Sequence, residues 1–332
     1  MDPITHGLLG GAAAQAIHRR PLAMGTLFAG IAGAMLPDLD VLIRSQNDPL
    51  LFFEYHRQFS HSLIFIPFGG LLAALAIWLL LKRRPPFAAL YAAATVGYAT
   101  HGLLDACTTY GTVLLWPFSY RRFSWDLISI VDPIFTLILL IGLLPAWKRF
   151  RPTAARCGLF LACGYLGLGW MQHQRILEFQ GRVAAARGQV IERARAYPSF
   201  GNLLVWRSFY VNGDRIHVDG LRRGLNGAEK LYPGNSVPRF DLAALSPQPP
   251  SGSPLAEDLK TYAWFTEGFL GRLSENPWTL GDMRFSILPN GIEPFWGIAF
   301  SPDEPDRHVR RLRFPRSRFV KLGTFWEMIQ GK

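Results

Sequence analysis

Residues 62–81 read SLIFIPFGGLLAALAIWLLL, twenty consecutive positions without a charge. A helix of that length rises about 30 Å, the thickness of a bilayer's hydrocarbon core. The run therefore predicts a membrane-spanning helix, and the rest of the chain can be read outward from it. Downstream, Phe87–Leu104 and Ile128–Trp147 are further candidate spans, and Cys157–Gln172 is a shorter fourth. Upstream, Ile4–Ile17 and Leu22–Leu36 are apolar but shorter, and either cross as short spans or form a re-entrant hairpin buried among the others. Small residues dominate this pair (Gly7, Gly10, Gly11 and Ala12–Ala14; Gly25, Gly30, Gly33), a composition suited to close helix packing. The expected fold is an α-helical membrane domain of about four long spans plus a short N-terminal helical hairpin, followed by a soluble α+β domain.

Composition supports that division. The chain is 49% hydrophobic and only 18% charged, below the charge content of an ordinary soluble protein. Residues 1–173 carry 13 Lys/Arg and 8 Asp/Glu, whereas residues 174–332 carry 22 and 16. The net charge of +11 thus divides into +5 and +6 over halves of very different polarity, a helical membrane domain (1–173) and a soluble domain (174–332). The basic residues form no long runs interleaved with aromatics, which argues against nucleic acid and for head-group contact. Cys107, Cys157 and Cys163 lie in or beside apolar stretches and do not have zinc-knuckle spacing, so no disulfide framework is expected. With no basic stretch ahead of the first apolar segment, no cleavable signal peptide is expected.

If the six apolar segments alternate, Arg19/Arg20, Lys82/Arg83/Arg84 and Lys148/Arg149/Arg151/Arg156 fall on one membrane face, which the positive-inside tendency makes cytoplasmic. The opposite face then receives all eight acids of this half, Asp2, Asp38, Asp40, Asp48, Glu54, Asp105, Asp126 and Asp132, together with His6, His56, His61 and His101. Arg44, Arg57, Arg121 and Arg122 oppose the bias. His18 stays with Arg19 and Arg20. Sequence-distant acids and histidines thereby converge on one layer.

Imidazole and carboxylate are the usual ligands of zinc and similar divalent ions. His101-Gly102-Leu103-Leu104-Asp105 puts two of them on one face of a helix end. Asp38-Leu39-Asp40 follows Pro37, which is expected to end the second helix and leave both carboxylates on a turn. His56-Arg57-Gln58-Phe59-Ser60-His61 adds two histidines before the longest span, and His6 lies early in the first segment. Asp2-Pro3 and Asp48-Pro49 read as helix N-caps. Asp132-Pro133 reads either as a cap or as a functional carboxylate entering an apolar span. Glu54 and Asp126 either hold ligand imidazoles or are loop residues. Arg57, Arg121 and Arg122 either receive an anionic substrate or meet head groups.

The ordered set Met1-Asp2-Pro3-Ile4-Thr5-His6, Leu36-Pro37-Asp38-Leu39-Asp40, His56-Arg57-Gln58-Phe59-Ser60-His61-Ser62 and His101-Gly102-Leu103-Leu104-Asp105 resembles the YdjM-like family of membrane-bound proteins described as metal-dependent hydrolases. The resemblance covers roughly residues 1–145, with Ser60 standing where that family more often has Thr. The family is in turn distantly similar to zinc-dependent phospholipase C, a likeness of fold only. The resemblance implies hydrolysis and fixes no substrate; the position of the site at a membrane face points to a phosphoester or other ester of a membrane lipid or lipid-linked substrate. His6, Asp38, His56, His61, His101 and Asp105 would share one to three divalent ions, zinc favoured by the imidazoles and manganese admitted by the carboxylates. Asp38 and Asp40 are the candidate catalytic carboxylates, Asp40 as bridging ligand or general base. Arg57, Ser60, Asp126 and Asp132 would stand behind the ligands or against the substrate. A non-enzymatic scaffold tied by a structural metal is the competing reading. A transporter fits less well, because the polar residues gather at one face and not at the midplane.

In the C-terminal half, Gln174–Tyr197 reads as an Arg/Ala-rich helix, and Leu203–Val211 with Asp214–Val218 as a hairpin around a type I′ Asn212-Gly213 turn. Met283–Leu288 and Trp296–Phe300 suggest a second hairpin. Ser246–Pro254 reads as a loop and Glu257–Glu275 as a helix. His173, His217 and His308 have no ligand-like company in sequence. Alternation of six segments puts this domain outside the cytoplasm, and nothing in the pattern sets an oligomeric state.

Overall fold

Proline behind a capping acid starts the first helix. In α1 (Pro3–Ala16) the Asp2 carboxylate accepts from Thr5 N at 3.0 Å and from Thr5 Oγ1 at 2.6 Å. The computed structural model describes residues 1–17, 24–83, 85–149, 152–273, 277–314 and 318–332. His18, Arg19, Arg20, Leu22, Arg84, Arg151 and Glu275 lie outside the described residues, as do the side chains of Lys148 and Arg149. The chain divides into two compact units. Unit 1 is Met1–Leu42, Tyr55–Met171 and Phe200–Asn202; unit 2 is Ile43–Glu54, Gln172–Ser199 and Leu203–Lys332.

Unit 1 is helical. α2 (Met24–Met35) runs directly into a 3-10 helix, Leu36–Leu42. Pro37 was expected to break the chain into a turn, but its missing N–H is tolerated at the start of the new helical stretch. Asp38 and Asp40 therefore ride on a 3-10 helix, and the second arm of the hairpin is longer than its apolar run suggested. α3 is the short Leu51–Tyr55, and two 3-10 turns, Phe59–His61 and Leu63–Phe65, lead into α4 (Ile66–Leu80). α5 is Phe87–Ala106 and α6 Pro133–Arg149. The latter begins five residues after Ile128, because Asp132 caps it through the amides of Ile134 and Phe135, both at 3.0 Å. Among the described residues, three helical stretches are long and apolar enough to cross a membrane: Met24–Leu42, Leu63–Leu80 and Pro152–Ala186; Pro133–Pro145 is apolar but shorter. α5, read from sequence as a span, is not among them. It packs centrally against α1, α2 and α4. α4 faces outward instead, with Phe68, Leu71, Leu72, Leu79 and Leu80 exposed.

Small residues set the helix spacing. Ala14, Ala29, Ala73, Ala74, Ala93 and Ala94 are buried with Leu90 in one cluster. A Cβ on Gly97 of α5 would fall on the Gly30 carbonyl of α2, and one on Gly30 would meet Gly10 and Ala14 of α1. Three backbones meet there, an approach open only to glycine.

α7 is a single helix, Pro152–Ala186, whose first part belongs to unit 1 and whose end belongs to unit 2. The expected separate helix over Gln174–Tyr197 is corrected twice: it continues the preceding segment, and it stops at Ala186. Residues 193–198 are instead strand β1 (Arg193–Pro198), paired with β2 (Val205–Asn212). β2 continues to β3 (Arg215–Arg223), which pairs at one end with β4 (Glu229–Tyr232) and at the other with β5 (Ser236–Pro238). The β2–β3 turn is Gly213-Asp214, closed by the Asn212–Arg215 pair. Only Gly213 takes positive φ, at 59°, whereas a type I′ turn needs it at both central residues. After α8 (Pro254–Phe265) comes an antiparallel meander: β6 (Leu270–Arg272), β7 (Thr279–Asp282), β8 (Trp296–Ala299) and β9 (Arg310–Arg313). The helix expected over Glu257–Glu275 thus ends at Phe265, and the strand partner of Trp296–Ala299 is Thr279–Asp282, upstream of Met283–Leu288. α9 (Arg318–Gln330) closes the chain. Unit 2 is accordingly sheet-rich, with Phe209, Val211, Ile216, Val218, Val237, Phe269 and Met283 as a core.

Candidate metal centre

Three segments of unit 1 bring four ligating groups together: Asp38 from the 3-10 helix, His61 from the turn before α4, and His101 and Asp105 one helical turn apart on α5. One ligand atom from each lies within 4.8 Å of all the others. Gly102 makes the approach possible, since a Cβ there would fall on the His61 carbonyl.

Hydrogen bonds on the far sides of the rings decide what the near sides offer. His101 Nδ1 lies 2.5 Å from the Ala34 carbonyl, which can only accept, so Nδ1 carries the proton and Nε2 a lone pair. His61 Nδ1 lies 3.2 Å from Asp40 Oδ2 and 3.0 Å from Ser60 Oγ. The Ser60 hydroxyl itself donates to Asp40 Oδ2 at 2.9 Å, so His61 Nδ1 donates as well. Both Nε2 atoms then present lone pairs to each other across 2.9 Å. Around them lie Asp105 Oδ2, 3.3 Å from His61 and 3.5 Å from His101, and Asp38 Oδ1, 3.9 Å and 3.5 Å away. The result is a buried group of four acceptors with no donor among them. Such a group is strongly unfavourable unless positive charge, a metal ion or a proton on one Nε2, sits inside it.

The separations fit the metal ion. Ligands about 2.0–2.1 Å from a tetrahedral zinc stand about 3.3 Å apart, and the five edges above run from 2.9 to 3.9 Å. Asp105 Oδ2 is fully buried with no hydrogen-bond donor aligned on it, although Arg57 Nε stands 3.1 Å away as an ion pair. Its other oxygen meets the Met1 amino group and, at 3.2 Å, His6 Nε2.

The remaining sequence candidates surround this group. His6 stacks on His101 with ring centroids 3.7 Å apart, and its Nδ1 is buried without a hydrogen-bond partner. His56 bonds Asp40 Oδ1 through Nδ1 at 2.6 Å, and burial lowers its pKa against the pull of that carboxylate. Asp40, expected as bridging ligand or base, directs both oxygens to His56, His61, Ser60 and the Arg57 amide, which donates at 2.8 Å. It stands one step behind the ligands. Arg57 is buried and left-handed (φ 65°), a conformation costing about 1–3 kcal/mol in a non-glycine residue. Asp40 holds its amide, and the Val113 amide donates to its carbonyl at 2.9 Å. Asp126 is buried and also left-handed (φ 58°), and is not one of the four. Asp132 is committed to capping α6 and accepts from Tyr165 Oη at 2.9 Å. Arg121 lies over Phe123.

Sequence reading missed three contributors. The Ala34 carbonyl has no side-chain signature. Tyr98, one turn before His101, donates to the Ser60 carbonyl, and a polar ring in an apolar helix was the available signal. Tyr110 lies between two guanidiniums, 4.7 Å from Arg57 and 5.1 Å from Arg122.

A helical unit with apolar spans, built around a His/Asp group able to hold a metal, defines the class. The particular family follows: residues 1–176 match the YdjM inner membrane protein family, and the chain belongs to it. A stretch of 111 residues is 39% identical to inner membrane protein YbcI of Escherichia coli (strain K12), covering 31% of this chain and 61% of that protein. The chain thus matches less than two thirds of that relative's length. No solved structure matches.

Proposed function

We propose that the protein is a metal-dependent hydrolase of the inner membrane, cleaving a phosphoester or other ester of a lipid or lipid-linked substrate. The observation that carries the reading is the buried all-acceptor group with one side accessible. The side chains of His61, His101 and Asp105 are 0% exposed, whereas Asp38 is 24% exposed. Zinc is favoured by the two imidazoles, and the two carboxylates admit manganese. When bound, such an ion supplies hydroxide near neutral pH and neutralises charge developing on the scissile group.

The chain's own residues do the rest. Asp40 keeps the His61 proton on Nδ1, and the Ala34 carbonyl does the same for His101, so both rings stay oriented as ligands. His6 steadies the His101 ring by stacking and Asp105 by its Nε2. Arg57, beside Asp105, and Arg122, on the same tyrosine, are the candidate cations for an anionic ester. If the six apolar segments of the sequence do alternate, the charge pattern puts the site and residues 174–332 on the extracytoplasmic side.

One observation favours a second reading. Four protein ligands at tetrahedral edge lengths are what a purely structural zinc site requires, so the metal would then tie helices together without catalysis. The test is metal content and phospholipid turnover of the purified protein against His61→Ala and Asp105→Ala. Joint loss of metal and turnover is expected. Loss of metal with turnover unchanged would sink the catalytic claim.

A further inference from the structure

A second group of ligating side chains converges wholly inside unit 2. Asp48 lies in the 43–54 segment, Asp258 on α8 and His308 in the loop before β9, and one ligand atom from each lies within 4.8 Å of the other two. His308 Nδ1 is 3.1 Å from both Asp258 oxygens. Asp258 Oδ2 also accepts from Val309 N at 2.7 Å, which fixes the carboxylate against the chain that carries His308. Asp48 Oδ1 accepts from the Leu50 and Leu51 amides at 2.8 and 3.0 Å, so this carboxylate is oriented as well.

Apolar docking forces these charges together. Phe53 packs on α8, with its ring 4.4 Å from Phe265 and 5.8 Å from Tyr262. Arg311 lies over Phe53 at 4.7 Å and over Phe52 at 5.8 Å, and donates to the Pro49 carbonyl at 3.4 Å. With the segment so held, the Asp48 carboxylate stands within 4.8 Å of the Asp258–His308 pair. A divalent ion would relieve the repulsion between the two acids and use the imidazole as a neutral ligand.

We propose that Asp48, Asp258 and His308 form a second divalent-cation site, separate from the group in unit 1, that fastens the 43–54 segment to α8. One imidazole with two carboxylates suits an ion of the zinc or manganese type; calcium and magnesium favour all-oxygen sets. The His308 side chain is 40% exposed, which leaves a path for the ion and room for water to complete its coordination.

The experiment uses the full-length protein in detergent, stripped with EDTA and dialysed against Zn²⁺ or Mn²⁺. Bound ion is counted by plasma mass spectrometry, and the melting transition is recorded with and without ion. Asp48→Asn and His308→Gln should each lose one ion per chain, and the ion-dependent rise in melting temperature should shrink in both. His61→Ala should lose a different ion, so that His61→Ala combined with His308→Gln loses both. Asp48→Asn keeps an oxygen for the Leu50 and Leu51 amides, so its folding is not at stake. Wild-type metal content in Asp48→Asn and His308→Gln overturns the proposal, whatever happens at His61.

Discussion

Asp105 in unit 1 and Asp282 in unit 2 are both fully buried carboxylates, yet their surroundings are opposite. Asp282 Oδ1 accepts from the Arg284 amide and Nε at 3.1 and 3.0 Å, and its Oδ2 from Arg284 Nη2 at 2.9 Å and Trp296 Nε1 at 3.1 Å. Arg284 reaches on to Glu267 at 3.2 Å. The charge is closed by the protein itself. Asp105 turns one oxygen toward two imidazole lone pairs and leaves it without an aligned donor. A buried charge closed by the chain stabilises a fold; one left open toward other acceptors calls for an ion from outside.

That contrast can be broken at either end. The largest effect is expected at Arg284→Met, which leaves Asp282 buried without its guanidinium. Breaking such a pair costs about 3–5 kcal/mol, so denaturant melting should show unit 2 destabilised while the metal content of unit 1 stays at its wild-type value. Asp40→Asn removes the carboxylate behind His61 and lets the ring choose the wrong tautomer. Metal affinity, measured by competition with a chelating dye, should fall about 10–100-fold with little change in helicity. Ser60→Ala deletes one hydrogen bond to Asp40 and should cost only about 1 kcal/mol of stability, with metal retained. A metal loss in Ser60→Ala as deep as in Asp40→Asn would show that the hydroxyl, and not the carboxylate, sets the His61 tautomer.

Much of unit 1 was legible because its signals are local. The uncharged run at 62–81 needs no context, and four residues between His101 and Asp105 place both on one helix face whatever surrounds them. Three of the four ligand positions lie in motifs that read as ligands without any partner in view, and Asp38 was paired with an equally plausible neighbour. Which of Asp38 and Asp40 faces the group depends on the 3-10 geometry after Pro37, since a turn would have pointed them elsewhere. The division of labour between Asp40 and Asp105 likewise rests on contacts with His61, 21 and 44 residues away in sequence. In unit 2 the strongest local signals were misleading in detail. Gly188, at φ 67°, stops the helix, and beyond it pairing of Arg193–Pro198 with β2 outweighs a helix propensity worth only tenths of a kcal/mol per residue. The hairpin at Gly213 was recognisable from its glycine, but the turn sits one residue further along, which moves every cross-strand partner by two residues.

The docking of Phe53 on Phe265 also has a consequence in time. The two rings are 212 residues apart in the chain. A ribosome adding about 5–20 residues per second leaves the first without its partner for roughly 10–40 s. Throughout that interval the connector between the Asp38–Asp40 and His56–His61 motifs presents Phe52 and Phe53 uncovered. Assembly of the nascent chain must therefore either shelter this pair at the membrane surface or hold its final settling until α8 has been made.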